Sequence, residues 1–130
     1  MSVPYPDPAI IALLADLPPL ADDLGGRVST VLDATLPALR VTKVGDLEAP
    51  TTWEATPLYQ VEVWADDEFT AGDLAWRITN VWPRAVAQVA GNAVVHARWV
   101  EANPFPSPDP ETEKPRFLVT LGIRLSGVNA

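Results

Sequence analysis

The sequence predicts an α+β fold: an antiparallel or mixed sheet with one main helix packed on one face, plus a short helix at the N-terminus. Three observations predict it. Two long segments, Ala93 to Ala102 and Arg116 to Leu125, alternate apolar and polar residues as half-buried strands do. One stretch, Thr70 to Val86, repeats its apolar residues at helical spacing. The chain has 130 residues, 48% of them apolar, which is the size and composition of one domain with its own core. A single domain over 1–130 is therefore expected, with an N-terminal helical segment at 1–26 and an α/β core at 27–126.

Asp7-Pro8 starts the first helix, with Asp as N-cap and Pro at the first helical position. Ile10, Ile11, Leu13, Leu14 and Leu17 follow, and Pro18-Pro19 ends it. This helix is apolar over most of its girth, so it must be buried. Gly25-Gly26 makes a turn. Arg27 to Leu32 is rich in β-branched residues and reads as a short strand. Leu39 to Val44 reads as a second strand, stopped by Gly45-Asp46, and a polar loop containing Trp53 runs on to Pro57. Leu58 to Ala65 is a half-buried strand, with Tyr59, Val61, Val63 and Ala65 on one face and Gln60 and Glu62 on the other.

Thr70 and Asp73 form a capping-box-like start to the main helix, and Phe69 and Leu74 are spaced for a hydrophobic staple. Ala71, Leu74, Ala75, Ile78, Val81, Trp82, Ala85 and Val86 make one apolar stripe. Pro83 should kink or break it, and Gly91-Asn92 should end the segment. In the terminal strands, Ala93, Val95, Ala97 and Trp99 share one face, as do Phe117, Val119, Leu121, Ile123 and Leu125. His96, Arg98, Arg116, Thr120 and Arg124 lie opposite. The helix should cover one sheet face and leave the other wet or free for assembly. The connection from Asn103 to Pro115 holds five prolines with Asp109, Glu111 and Glu113, and reads as an extended, semi-stiff loop.

Several chemistries are excluded. The chain has no Cys, so thiolate metal sites and thiol nucleophiles are absent. Nine basic against seventeen acidic residues give a net charge of −8, with no basic run to grip phosphates or an anionic bilayer. The longest apolar stretch, Ala9 to Ala15, is too short to span a membrane. Met1 to Pro8 shows no signal-peptide pattern, so a cytoplasmic product is expected. His96 is the one histidine, and no nucleophile motif accompanies it. Asp66-Asp67-Glu68 and the Asp109, Glu111, Glu113 group lack the glycine of a calcium loop and read as solvated charges. Gly25-Gly26 lacks the Lys-Ser/Thr of a phosphate loop. No catalytic residue, metal or cofactor is expected.

Five Trp is a high count for this length. Trp82 and Trp99 fall on apolar faces and read as core. Trp53, Trp64 and Trp76 fall outside it, where large aromatics are enriched at protein interfaces. The candidate interface residues are Arg40, Trp53, Glu54, Trp64, Trp76, Arg98, Phe105, Asp109, Glu111, Glu113, Arg116 and Arg124.

The run Leu36-Pro37-Ala38-Leu39-Arg40-Val41-Thr42-Lys43-Val44-Gly45 leads into a polar loop. Tyr59-Gln60-Val61-Glu62-Val63-Trp64-Ala65, a capped helix with Leu74-Ala75, and a terminal hairpin follow. From Arg27 to Ser126 this order resembles the tail terminator (tail completion) proteins of long-tailed bacteriophages, especially those of actinobacterial hosts. The resemblance implies a non-catalytic virion protein, assembled in the host cytoplasm into a ring, hexameric in relatives. The ring would cap the head-proximal end of the tail tube and present a docking surface to the head connector. Its partners would be further copies of itself, the major tail tube protein and the connector, with DNA passing through the lumen without specific or tight binding. Two other readings stand beside it: a head–tail connector of similar size, and a small hydrolase or sugar-binding domain built around Trp53 and acidic residues.

Overall fold

In a computed structural model the described residues are 3–18, 20–84, 88–90 and 93–127. The first helix, α1 (Asp7–Ala15), opens one residue earlier than Asp7 as N-cap would require, because Pro6 takes the cap position. Asp7 does not cap the helix. Its carboxylate instead accepts hydrogen bonds from the hydroxyls of Tyr59 (2.6 Å) and Tyr5. Ile10 and Leu14 are fully buried, each such burial contributing about 1.5–3 kcal/mol. A further short helix, α2 (Ala21–Leu24), follows at once, inside the expected N-terminal helical segment but beyond Pro18-Pro19, where the first helix is expected to end. Gly25 and Gly26 turn the chain with φ of 53° and 79°, a conformation that costs a glycine nothing.

The expected strand from Arg27 to Leu32 shrinks to β1 (Val28–Ser29). The Ser29 hydroxyl accepts from the Val31 amide and Asp33 Oδ1 accepts from the Thr35 amide, so local side-chain bonds turn the chain out of the sheet. β2 (Ala38–Asp46) lies close to its expected position. Within the polar loop that follows, β3 (Glu54–Ala55) pairs with Ser126 and Leu125. β4 (Pro57–Trp64) is again close to expectation.

α3 spans Glu68–Val81, and its start differs from expectation. Asp67, not Thr70, is the N-cap: its carboxylate accepts from both the Thr70 amide and the Thr70 hydroxyl at 2.8 Å. That frame puts Phe69 in the first turn, pointing away from the sheet at 90% exposure, so no staple forms with Leu74. Ala71, Leu74, Ala75 and Ile78 are buried as predicted. Pro83 lacks an N–H, and the chain tightens there into a 3₁₀ turn, Trp82–Arg84. The helical segment does not run on to Gly91-Asn92, because β5 (Gln88–Ala90) intervenes. Ala85, Val86, Gly91 and Asn92 themselves lie outside the described residues.

β6 (Ala93–Pro106) and β7 (Arg116–Gly127) complete a mixed sheet in the order β1-β2-β4-β7-β6-β5, with β1 parallel to β2 and the other pairings antiparallel. β6 shifts register between Val95 and Ala97, between Val100 and Ala102, and between Ala102 and Phe105. The first shift overturns the predicted alternation. A bulge at His96 adds one residue, so the side chains from Ala97 to Val100 change face until the next shift. Ala93 and Val95 face the core, but Arg98 then pairs with the core residue Ile123 and Trp99 with Gly122 on the opposite face. The loop predicted from Asn103 to Pro115 also shortens, since β6 continues through Pro106.

One hydrophobic cluster joins the three helices to the same side of the sheet, with α3 against β4, β6 and β7, and α1 against β1 and β5. The opposite side of the sheet carries no helix among the described residues.

Candidate assembly surface

The uncovered sheet face is assembled by register. Residues directly opposed in an antiparallel pair project to the same side. Ala38, Arg40 and Thr42 on β2 therefore lie beside Trp64, Glu62 and Gln60 on β4, which lie beside Arg116, Leu118 and Thr120 on β7.

A three-charge network crosses this face. Glu62 is 5% exposed, although a buried carboxylate is costly unless paired. It accepts from Arg40 Nη2 at 2.8 Å and from Arg40 Nε, and from Arg116 Nη1 at 3.0 Å. The hydrogen bond to Glu62 is the main influence raising the Arg40 pKa. Arg116 also donates to the Ser107 carbonyl at 2.7 Å and stacks 5.3 Å above the Trp64 ring. It thereby fastens the base of the β6–β7 hairpin to the sheet.

This geometry relocates several candidates. Trp64 is not an exposed aromatic. It is 4% exposed beneath Arg116, and its Nε1 is buried without a hydrogen-bond partner among the described residues. Trp99 is not core: it sits on the uncovered face and donates from Nε1 to Glu101 at 2.9 Å. Arg98 is on the helix side, stacked 4.5 Å from the Trp82 ring. Arg124 lies 3.7 Å from Glu54 on β3. Trp53 (58%), Phe105 (50%) and Trp76 (47%) are exposed. Trp76 shares the outer stripe of α3 with Phe69, two turns earlier, on the helix side and far from the network.

The hairpin tip is ordered by its own side chains. Asp109 Oδ2 accepts from the Thr112 hydroxyl at 2.6 Å and amide at 3.1 Å, which holds its pKa below the ordinary value. The Asp109 carbonyl accepts from the Glu113 amide, and Glu113 has φ of 59°. Glu111 stands exposed in the middle of the turn.

Arg40, Trp64, Arg116 and the foot of the tip are thus brought together, and Glu54 with Arg124 forms a neighbouring pair. Trp53, Trp76 and Arg98 stand apart. The keystone Glu62 is not among the sequence candidates, although a carboxylate opposite an arginine on an otherwise apolar strand is the available signal. Among the described residues, no group of three or more His, Asp or Glu could hold a metal. No helix among them is long and apolar enough to cross a membrane. His96 Nε2 shares a 2.8 Å hydrogen bond with the Ser126 hydroxyl in the open.

No family model matches the chain, and no curated protein matches it. Among solved structures it is similar to a chain from the virion of a native gene transfer agent particle. The two share 16% identity and a TM-score of 0.70, and the match covers 92% of each chain. The α+β fold is therefore one that a virion protein of similar length also has.

Proposed function

We propose that the protein is a virion structural component that forms a ring on the head-proximal end of a phage tail tube, ends tube growth and offers a docking surface to the head connector. The observation that carries this reading is the end-to-end likeness to a chain of the gene transfer agent virion, with neither chain left substantially unmatched. The order of elements from Arg27 to Ser126, which resembles tail terminators, supports the same reading independently.

In this reading the 130 residues act as one unit, and the work is done by surfaces. The sheet face around Arg40, Glu62 and Arg116 is preordered, because each charge is already paired and Arg116 is backed by Trp64. A preorganised face loses little entropy on association. The exposed Trp53, Trp76 and Phe105 supply the aromatic contacts that interfaces favour. The charge of −8 suits a lumen through which DNA passes, since acidic walls repel phosphates.

The test is genetic. Phage assembled without this protein should accumulate tails of irregular and excessive length, seen by electron microscopy. Tails of normal length would sink the assignment. If tails are normal and the protein is found on isolated heads, the connector reading replaces it.

A further inference from the structure

We propose that the cavity beside Arg98 receives a carboxylate side chain from a second copy of this chain, and that the donor is Glu111 at the tip of the β6–β7 hairpin. This rests on the self-assembly reading above and names the contact that would carry it.

The cavity has a volume of about 290 Å³ and lies between α1, β5 and β6, with Leu13, Leu17 and Val89 among its walls. Arg98 is aimed to this side by the His96 bulge. Its guanidinium stacks on Trp82 and makes no hydrogen bond or ion pair among the described residues. Nε is buried and bare. Asp16 also lines the cavity but forms no ion pair with Arg98. Burial pushes the Arg98 pKa down. A desolvated donor without an acceptor is unfavourable in a monomer, and native structures rarely leave one so. The planar guanidinium is matched best by a carboxylate, which can take two of its N–H groups at once.

The chain supplies such a group where it cannot use it itself. Asp109 commits its carboxylate to Thr112, whereas the Glu111 side chain has no partner among the described residues. The tip lies beyond Pro106, about 26 Å of strand from Arg98, so a molecule's own tip does not reach its own cavity. A neighbour's tip can. Cavity and tip are different surfaces, so the contact is head-to-tail, the kind that closes into rings.

Sedimentation velocity on the full chain tests this with R98E, E111R and the double variant. Each single variant should weaken self-association about tenfold or more, and the charge-swapped pair should recover most of the loss. R98M guards against misfolding. It keeps the stem on Trp82, and should keep the melting temperature while losing association. Single variants that associate like the wild type, or a double variant no better than either single, overturn the proposal. So does a wild-type chain that stays monomeric at every concentration. The tail-length experiment decides the functional reading separately.

Discussion

Trp99 is seated on the bare Cα of Gly122. A Cβ added there would overlap Trp99 Cε2, Cζ2 and Nε1, far inside van der Waals contact. The same glycine's carbonyl accepts from Trp82 Nε1 at 3.2 Å, so one residue of β7 serves two tryptophans. Gly122→Ala should therefore displace Trp99 from its place beside Glu101 and cost about 1–3 kcal/mol, read from urea denaturation. In a Trp99→Leu background the same change should cost clearly less. Equal costs in both backgrounds would show that the indole is not the obstacle.

Tyr59→Phe should cut the bond that ties α1 to β4 across the fold. The loss should be about 1 kcal/mol, because Asp7 is partly solvated and recovers water. The Tyr59 pKa is raised above its ordinary 10.0, first by burial and then by the Asp7 bond. The folded state then holds a proton that the unfolded state releases, so stability is full below pH 10 and falls as pH rises above it. The Tyr59→Phe variant lacks that proton, so its alkaline fall should be shallower by up to about 1.4 kcal/mol per pH unit. An unchanged alkaline slope would contradict this.

Glu62→Gln leaves two arginines facing a neutral amide. Arg116 is largely covered and Arg40 about one-third exposed, so water compensates only in part. A destabilisation of about 2–4 kcal/mol is expected in thermal or chemical melts. Replacement by Leu should be worse for Arg116, whose Ser107 bonds alone cannot neutralise it. A Glu62→Gln protein as stable as the wild type would mean that the network holds no tension.

Asp67→Ala should lower the melting temperature by a few degrees, whereas Asp67→Asn, which still caps, should cost little at neutral pH. The Thr70 amide and hydroxyl bonds hold the Asp67 pKa below its ordinary 3.8. Its contribution is complete above 3.8 and is lost as pH falls through the lower folded value. The Asn variant should lack this acid step in a circular-dichroism titration. Phe69→Ser, by contrast, should leave stability within about 0.5 kcal/mol, since the ring touches little.

Where one periodicity governs a segment, the sequence is a sufficient guide. Tyr59, Val61 and Val63 are buried because β4 is regular, and Ala71, Leu74, Ala75 and Ile78 because α3 is. The failures occur where a single residue breaks the period. His96 inserts one position into β6, and nothing in its chemistry announces a bulge, so plain alternation puts Arg98 and Trp99 on each other's faces. Phe69 reads as a staple only with the cap at Thr70, although Asp67 is the better-placed acceptor. β5 is hidden behind Pro83, where an apolar run is as consistent with a helix as with a strand. Trp64 reads as exposed because its cover, Arg116, comes from a distant part of the chain. The candidate surface is thus half legible: its arginines can be picked out directly, whereas the carboxylate that organises them stands out only once the β2–β4 register sets it opposite Arg40.

The bulge at His96 also bears on how such a chain could diverge. It sets the phase of β6 from Ala97 to Val100, up to the next register shift. A lineage losing that one residue would turn an arginine into the solvent side and a tryptophan into the helix side. It could survive only by exchanging the identities at 98 and 99 as well. Positions 96, 98 and 99 are therefore expected to drift together across descendants, as a linked set of three, while Gly122 stays fixed only as long as an indole faces it.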